Sequence, residues 1–452
     1  MTIRVRFAPS PTGLLHIGNA RAALTNWLFV RKQQLEGHTA HFLLRQDDTD
    51  LERSKEEFAL AIKQDLAWLG VTYDAFMKQS DRFARYDEIK QKLIDEGRLY
   101  PCYETPEELD FKRKRQMGRG EPPIYDRGAL KLTDAEKAAF EAEGRRPHWR
   151  FKLLPEEIKW QDLIRGETHF HGAHLSDPVL VRADGAYLYT LTSVVDDIDT
   201  EITHILRGED HVTNTAVQIQ LFEALGRKTD TVYFGHTTLL LDVDGSPLSK
   251  RLGSLSLQSL RAQGIEPMAI NCLLARLGTS QPIEPHYNLD DLARGFDLGT
   301  FSRTPPRFDM HDLETLNHKI YQVWPYEALA SKLIELGAPD IDESIWNQIR
   351  GNIKTLDELA HWQKVLFGDI TPIITDKDYI QTALKLLPAT PWTTDTWPAW
   401  TNAIKAETGR KGRELFMPLR QAITGFDHGP EMKELLPLIN YDRVVKRLSA
   451  EG

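Results

Sequence analysis

The first residues of this chain constrain its fold more than any other stretch. Ile3, Val5 and Phe7 alternate with arginines, which is the periodicity of a β-strand. The loop PSPTGLLHIG follows, and apolar residues then recur at helical spacing from Ala20 to Trp27. A strand that leads through a loop into a helix is half of a βαβ unit, so we expect a parallel sheet with right-handed crossovers.

The segment that follows continues this pattern. A second apolar run at residues 39–45 ends in the polar string QDDTD. Ser54 and Glu57 have the spacing of a capping box, which predicts the start of a helix, and Gly70 predicts its left-handed end. Strand, helix, strand and helix therefore succeed one another before residue 99.

The pattern changes between Leu99 and Pro178, where charge and proline indicate an insertion. Alternation in AYLYTLTSVVDD and in ITHILRGED then predicts strands, and Thr213 to Leu225 predicts an amphipathic helix. The string VYFGHTTLLLDVDG predicts a strand pair with a turn at Asp244-Gly245. Helical periodicity dominates after about Tyr321. We therefore predict an α/β protein: a Rossmann-type parallel-sheet domain with an α+β insertion, followed by an all-α C-terminal region.

Composition excludes several classes of protein. The 452 residues carry a formal net charge of −10, which argues against broad attraction to nucleic acid or membrane but leaves room for a local basic groove. Two lone cysteines make no disulfide framework, and no signal peptide or membrane span is evident. We expect a cytoplasmic protein.

The loop PSPTGLLHIG lies where α/β proteins bind ligands, at the carboxyl end of a strand and the start of a helix. Such a helix start favours phosphate, His16 could donate a hydrogen bond to it, and Gly18 would allow a base or ribose to approach the backbone. Lys250, in the glycine-flanked string GSPLSKRLGS, is suited to neutralise a leaving phosphate. Taken singly, the first motif is more typical of a proline-stiffened turn and the second of a solvated loop.

Four strings taken together are more specific. RFAPSPTGLLHIGNARAAL, LRQDDTDLERS, LTSVVDDIDTEITHILRGEDH and PLSKR resemble the bacterial glutamyl-tRNA synthetases, which are class I enzymes. The segment from His16 to Asn19 is similar to the family's H-I-G-H signature, and Leu248 to Arg251 is similar to most of its K-M-S-K-S loop. The resemblance covers essentially the whole chain.

The resemblance implies a reaction in two steps. The α-carboxylate of glutamate attacks the α-phosphorus of ATP, and the 2′-hydroxyl of the terminal adenosine of tRNA then attacks the activated carbonyl, with Mg²⁺ accompanying ATP. His16 and Lys250 are the implied catalytic residues. The implied ATP-binding residues are His16, Gly18, Asn19, Ser249, Lys250 and Arg251.

The resemblance also implies a set of residues that bind glutamate. Arg6 would bind the α-carboxylate, Asp47 the α-ammonium and Arg207 the side-chain carboxylate, with Ser10 and Tyr189 beside them. Guanidinium groups match carboxylates bidentately, and glutamine would leave the charge of Arg207 without a partner. We therefore expect glutamate rather than glutamine, although Arg207 seen alone fits an interdomain ion pair.

The resemblance divides the chain into five segments. These are 1–98 and 186–240 for the two catalytic halves, 99–185 for an insertion that binds the acceptor end, 241–320 for a stem-contact region with the lysine loop, and 321–452 for a helical anticodon-binding domain.

Three departures from the family pattern bear on the site. Asp47 stands where many relatives have glutamate, and Pro247 stands where the lysine-loop signature begins with lysine. Many relatives hold zinc in the insertion through a C-x-C pair and a later Cys or His pair, whereas here Cys102 is followed by Tyr103 and Glu104. We predict no zinc there, and we interpret HFHGAH as a solvated loop rather than a metal site.

The implied partners are L-glutamate and tRNA(Glu), with tRNA(Gln) left open and no membrane; we expect a monomer. Candidate tRNA contacts are the cations Lys112, Arg113, Lys114 and Arg115 in the insertion and Arg410, Lys411 and Arg413 near the C-terminus. The alternatives are glutaminyl-tRNA synthetase, the shorter relative that modifies a base of tRNA(Asp), and an inactive tRNA- or nucleotide-binding paralogue. Arg207 argues against the glutaminyl enzyme, and the chain is too long for the shorter relative. The joint presence of the site residues argues against an inactive paralogue.

Overall fold

Three sheets carry the β-structure of the chain in a computed structural model, which describes residues 2–248 and 255–449. The strands are β1 Ile3–Phe7, β2 Ala40–Gln46, β3 Ala75–Lys78, β4 Leu99–Cys102, β5 His148–Phe151, β6 Glu157–Asp162, β7 Gly166–His171, β8 Val179–Val181, β9 His204–Gly208 and β10 Tyr233–Thr237. The sheets have the orders β1-β2-β3, β7-β6-β10-β9 and β4-β5-β8.

Helices connect and follow these strands. In the first 300 residues they are α1 Ile17–Leu35, α2 Glu56–Leu69, α3 Phe83–Asp95, α4 Pro106–Gly118, α5 Asp134–Ala142, α6 Tyr189–Asp199, α7 Val212–Ala224, α8 Leu257–Ala262, α9 Pro267–Arg276 and α10 Leu289–Arg294. Beyond them lie α11 Met310–Val323, α12 Tyr326–Ala330, α13 Glu343–Ile349, α14 Glu358–Phe367, α15 Lys377–Lys385, α16 Thr396–Thr408, α17 Arg413–Thr424, α18 Met432–Leu435 and α19 Tyr441–Ser449.

The predicted Rossmann-type sheet is confirmed. β1 pairs with β2, β2 with β3 and β9 with β10, all in parallel. The backbone N–H of Thr203 donates to the carbonyl of Arg4 at 2.9 Å, so the segment entering β9 lies beside β1. The carboxyl ends of β1 and β9 therefore lie side by side, which is where a parallel α/β sheet binds its ligands.

The predicted insertion contributes to that sheet. β4, β5 and β8 form a separate antiparallel sheet within it. The antiparallel hairpin of β6 and β7 instead joins β10, and Phe234 pairs in parallel with Asp162 at the end of β6. The string HFHGAH lies in this hairpin and the short turn after it, so its interpretation as a loop was wrong.

Three local predictions were also wrong. The string AYLYTLTSVVDD at residues 186–197, predicted as a strand, lies mostly in α6, because Leu191, Val194 and Val195 are buried at helical spacing. The second half of the VYFGHTTLLLDVDG string forms no strand, and its Leu241 makes only isolated bridges, to Pro247 and to Arg307. The N-cap of α2 is Lys55 and has no side-chain hydrogen bond, so the capping box is absent there, although Gly70 ends the helix at φ +76° as predicted.

The chain divides into two units. The N-terminal unit comprises Met1–Leu260, Asn271–Ile283 and Asn288–Asp309, and the C-terminal unit comprises Arg261–Ile270, Glu284–Tyr287 and Met310–Gly452. The described part of the C-terminal unit is helical and contains no strand, as predicted. None of the described helices has both the length and the apolar character needed to span a membrane.

Candidate active site

An open cavity of about 950 Å³ lies at the carboxyl ends of β1, β9 and β10. Among its lining residues are seven that the sequence predicted, which are Arg6, Ser10, His16, Gly18, Asn19, Tyr189 and Arg207. Arg6 lies on β1 and Arg207 on β9, Ser10 and His16 lie in the loop after β1, and Gly18 and Asn19 lie in the first turn of α1. Ser249, Lys250 and Arg251 lie outside the described residues.

The loop after β1 ends in a cap built by His16. Its Nδ1 accepts the backbone N–H of Gly18 at 3.1 Å, and the Asn19 side chain accepts the backbone N–H of His16 at 3.3 Å. Because Nδ1 accepts, the neutral ring carries its proton on Nε2 and can donate from there. Burial lowers the pKa of His16, which favours this neutral form. A Cβ at Gly18 would lie 3.0 Å from the His16 ring, so glycine keeps room for the imidazole itself.

Backbone hydrogen bonds connect this loop to its neighbours. The carbonyls of Pro9 and Pro11 accept the N–H groups of Asp47 and Lys55, each at 3.0 Å. At its other end, the N–H of Ile17 donates to the carbonyl of Leu255 at 3.1 Å, and Leu257 donates to Leu15 at 2.9 Å. The residues directly after the predicted lysine loop are thus hydrogen-bonded to the start of α1.

Arg207 is buried against the cavity among neutral partners. Its Nη1 donates to the Tyr189 hydroxyl at 2.8 Å, and its Nη2 donates to Thr215 Oγ1 at 2.6 Å and Gln218 Oε1 at 2.7 Å. Its Nε faces His236 Nε2 at 3.4 Å. No described carboxylate pairs with it, and burial lowers the pKa of Arg207. Four of its five N–H groups are engaged, so the guanidinium presents one free Nη1 hydrogen rather than the fork that the sequence suggested.

Arg6 contacts the same cavity from β1 and is oriented differently. Its Nε donates to Asp197 Oδ1 at 3.1 Å, and its two terminal nitrogens have no partner among the described residues. Arg6 is 3% exposed, so its orientation is set by the protein rather than by solvent. The two terminal nitrogens of Arg6 have the geometry to pair bidentately with a carboxylate in this cavity.

Asp47 lies behind the cavity rather than in its wall. Its two carboxylate oxygens accept from Arg45 at 2.7 and 3.1 Å, and the group is 8% exposed. Arg45 continues to Asp197 at 2.8 Å, so Asp47, Arg45, Asp197 and Arg6 form one buried chain of charges. Burial raises the pKa of Asp47 to about 6, against the opposing effect of Arg45.

Sequence reasoning missed three residues that line the cavity. Asp210 is the one carboxylate among the described lining residues, and His211 follows it. Burial lowers the pKa of His211 to about 4, so the ring is neutral at pH 7. Arg21 lies in the wall on α1 and donates to the carbonyl of Thr238 at 2.6 Å. The signal for Asp210 and His211 was their position directly after a strand of the parallel sheet.

A second cluster lies in the insertion, where spacing had excluded a metal. Cys102, Glu104 and His148 place ligand atoms within 4.8 Å of one another, because β4 and β5 pair Cys102 with His148. Glu104 is already held by Lys112 at 3.0 Å and by the Tyr125 hydroxyl at 3.0 Å. Three donors are one short of a structural zinc site, so this set does not fit the family's zinc. The absence of zinc stays a prediction, which metal analysis of the purified protein checks.

A parallel sheet with an open cavity at the carboxyl ends of its strands has the ligand-binding architecture of α/β enzymes, and comparisons with known proteins identify the class. Residues 2–315 match the family model described as tRNA synthetases class I (E and Q), catalytic domain, and residues 325–451 match an anticodon binding domain. The chain therefore belongs to the class I tRNA synthetases (E and Q).

Curated relatives and a solved structure narrow this class to proteins named for glutamate. The chain is 55% identical over 448 residues to a protein named Glutamate--tRNA ligase 2 from Methylorubrum populi, covering 99% of this chain and 98% of that one. It is 53% identical over 450 residues to Glutamate--tRNA ligase 1 from Maricaulis maris, covering 99% of each. A crystal structure of a glutamate tRNA ligase from Elizabethkingia meningosepticum, in complex with its amino acid, matches with a TM-score of 0.81 at 25% identity over 99% of both chains.

Proposed function

We propose that this protein attaches L-glutamate to tRNA(Glu) in an ATP-dependent reaction, through glutamyl-adenylate and transfer to the 2′-hydroxyl of the terminal adenosine. The observation that carries the proposal is Arg207, a buried cation beside the cavity whose described partners are all neutral. A buried charge without a counter-ion is costly, and an anionic ligand removes that cost.

The same observation favours glutamate over glutamine. The side-chain carboxylate of glutamate would accept from the free Nη1 hydrogen of Arg207 and from the Tyr189 hydroxyl, which itself accepts from Nη1. An amide in that place would leave the cation uncompensated and would set its own N–H donors against donors. Full-length relatives named for glutamate, at 53–55% identity, support this choice over the glutaminyl and inactive alternatives.

The remaining amino-acid contacts follow from the cavity. Arg6 would bind the α-carboxylate through its open fork, with Ser10 beside it. Asp47 would act on the α-ammonium as a buried negative charge behind the wall, since its oxygens are engaged by Arg45. The α-carboxylate would then be held for its attack on ATP.

The nucleotide half of the site lies at the start of α1. Gly18, Asn19 and the helix dipole would receive the phosphates of ATP with its Mg²⁺, and His16 would donate from Nε2. Lys250 stands five residues before Leu255 in the sequence. It would follow the charge onto pyrophosphate, with Ser249 and Arg251 ordering the loop.

For tRNA we propose the five segments given above, with the insertion on the acceptor end and residues 321–452 on the anticodon. We further propose a cytoplasmic monomer that accepts tRNA(Glu), with tRNA(Gln) as the second substrate to be tested. An active enzyme that charges both tRNAs would be non-discriminating.

The test is ATP–pyrophosphate exchange by the purified chain, with glutamate or glutamine and with tRNA(Glu) or tRNA(Gln). We expect exchange that depends on glutamate and on tRNA, followed by charging of tRNA(Glu). Exchange supported by glutamine, or none with any combination, would overturn the proposal. Charging of tRNA(Gln) in the same assay decides the second substrate.

The cations on α4 allow a matched test of tRNA contact. Lys112 and Lys114 are held by acidic neighbours at 3.0 and 2.6 Å, whereas Arg113 and Arg115 are exposed and make no ion pair with any described residue. Replacing both arginines by glutamine should weaken tRNA binding and reduce the slope of log K against log[salt] by about 1 to 2. Replacing both lysines should reduce it less. Equal salt slopes for the two double variants and the unmodified protein would mean that the cations at 112–115 do not contact tRNA and instead serve solubility.

A further inference from the structure

Arg207 is oriented from behind by a histidine on the neighbouring strand. Arg207 and His236 are directly paired in the parallel register of β9 and β10. The Nε–H of Arg207 points at Nε2 of this ring at 3.4 Å, and the Thr215 hydroxyl lies 2.9 Å from the same nitrogen. The contact with Arg207 is a hydrogen bond only when Nε2 carries a lone pair, since a protonated Nε2 would set donor against donor.

Asp162 fixes the ring in that state. Its Oδ2 lies 2.5 Å from Nδ1 of His236. A carboxylate only accepts, so Nδ1 carries the proton and the neutral ring has its lone pair on Nε2. Burial lowers the pKa of His236, although Asp162 opposes this, and the ring is neutral at pH 7.

Asp162 is itself held as an anion. Its Oδ1 accepts the backbone N–H groups of Ile164 at 3.0 Å, Arg165 at 2.9 Å and His236 at 3.2 Å. These bonds and that from the His236 ring outweigh burial and lower the pKa of Asp162 to about 2. The residue is 2% exposed and ends β6, the strand by which the predicted insertion joins the catalytic sheet.

We propose that Asp162 and His236 are positioning residues for glutamate selection, which hold the guanidinium of Arg207 so that its free Nη1 hydrogen meets the substrate's side-chain carboxylate. The inference rests on the function proposed above. It places one determinant of amino-acid choice, Asp162, in the segment assigned to tRNA, three hydrogen bonds away from the substrate. Neither residue touches the substrate, and neither lies among the described lining residues of the cavity.

The first test is Asp162→Asn. This change keeps the size of the side chain and an oxygen for the backbone donors, but its N–H can now face Nδ1 and move the ring proton to Nε2. We expect the KM for glutamate in ATP–pyrophosphate exchange to rise about tenfold or more, as for loss of one hydrogen bond to a charged group, with less than a twofold change in the KM for ATP. The ratio of kcat/KM for glutamate over glutamine should fall.

Asp177→Asn is the matched control, because Asp177 is an equally buried carboxylate in the same insertion. It accepts from the backbone of Leu153 at 3.0 Å and from the Tyr100 hydroxyl at 2.7 Å, and it does not contact Arg207. We expect it to lower the melting temperature without moving the KM for glutamate. His236→Phe removes the acceptor by a second route and should reproduce the effect of Asp162→Asn.

An unchanged KM for glutamate in either Asp162→Asn or His236→Phe, or an equal rise in the KM for ATP, would overturn the inference. Such a result leaves the proposed function standing as long as the unmodified protein shows glutamate-dependent exchange. Failure of the unmodified protein in that exchange is the separate result that overturns the function.

Discussion

Two buried arginines in the N-terminal unit have opposite kinds of hydrogen-bond partners. Arg45 is fully buried and donates to Asp47 and Asp197, with Asp196 at 3.9 Å. Arg207 is 7% exposed and donates only to neutral groups. The acidic surroundings raise the pKa of Arg45 well above its usual value, whereas burial lowers that of Arg207. Arg45 therefore has its counter-ions within the protein, whereas no described carboxylate pairs with Arg207, and under the proposed function the substrate supplies its counter-ion.

The largest effect expected from this comparison is on activity at Arg207. Arg207→Gln should reduce glutamate-dependent exchange by about a hundredfold or more, because it removes the buried partner of the substrate carboxylate. Its stability should be unchanged or higher, since the substitution removes an uncompensated charge. Exchange kinetics and thermal melting check both parts. Near-normal exchange in Arg207→Gln would show that Arg207 does not bind the side-chain carboxylate of glutamate.

The converse effect is expected at Arg45. Arg45→Gln leaves three buried carboxylates without their shared cation, and we expect a loss of about 3–5 kcal/mol in the free energy of unfolding. Burial already raises the pKa of Asp47 and of Asp196, and loss of the cation would raise both further, so the deficit is largest at neutral pH and shrinks as the pH falls below them. Denaturant unfolding at two pH values measures it. If Arg45→Gln and Arg207→Gln lost the same free energy of unfolding at both pH values, the two arginines would not differ in their structural role.

The smallest effect concerns pH. The pKa of Asp47 is raised to about 6, so its charge is present above that pH and is lost as the pH falls through it. If this charge attracts the α-ammonium, the KM for glutamate should rise about fourfold between pH 7.5 and 5.5, which is the ratio of the ionised fractions of Asp47 at the two pH values. Asp47→Asn should flatten the profile. If Asp47→Asn left the pH dependence of the KM unchanged and Asp210→Asn raised the KM for glutamate, Asp210 rather than Asp47 would be the carboxylate that attracts the α-ammonium.

Sequence patterns were reliable where a local rule decides structure. The alternation at Ile3 to Phe7 and the cap at Gly70 depend on residues close in the chain, and both are present. Alternation failed at α6, where short-range patterning does not distinguish a strand from a helix buried on several sides. The motif residues converge on one cavity because β1 and β9 end at the same edge of the sheet.

The sequence by itself determined the family, the parallel-sheet fold and seven of the residues at the cavity, because these depend on motifs and periodicity along the chain. Tertiary structure decided how each group is used. It left one N–H of Arg207 free, placed Asp47 behind the wall with Arg45, and joined Asp162 to His236 across strands 74 residues apart in sequence. Hydrogen-bond partners far apart along the chain set the charge and orientation of a side chain, and no local pattern encodes them.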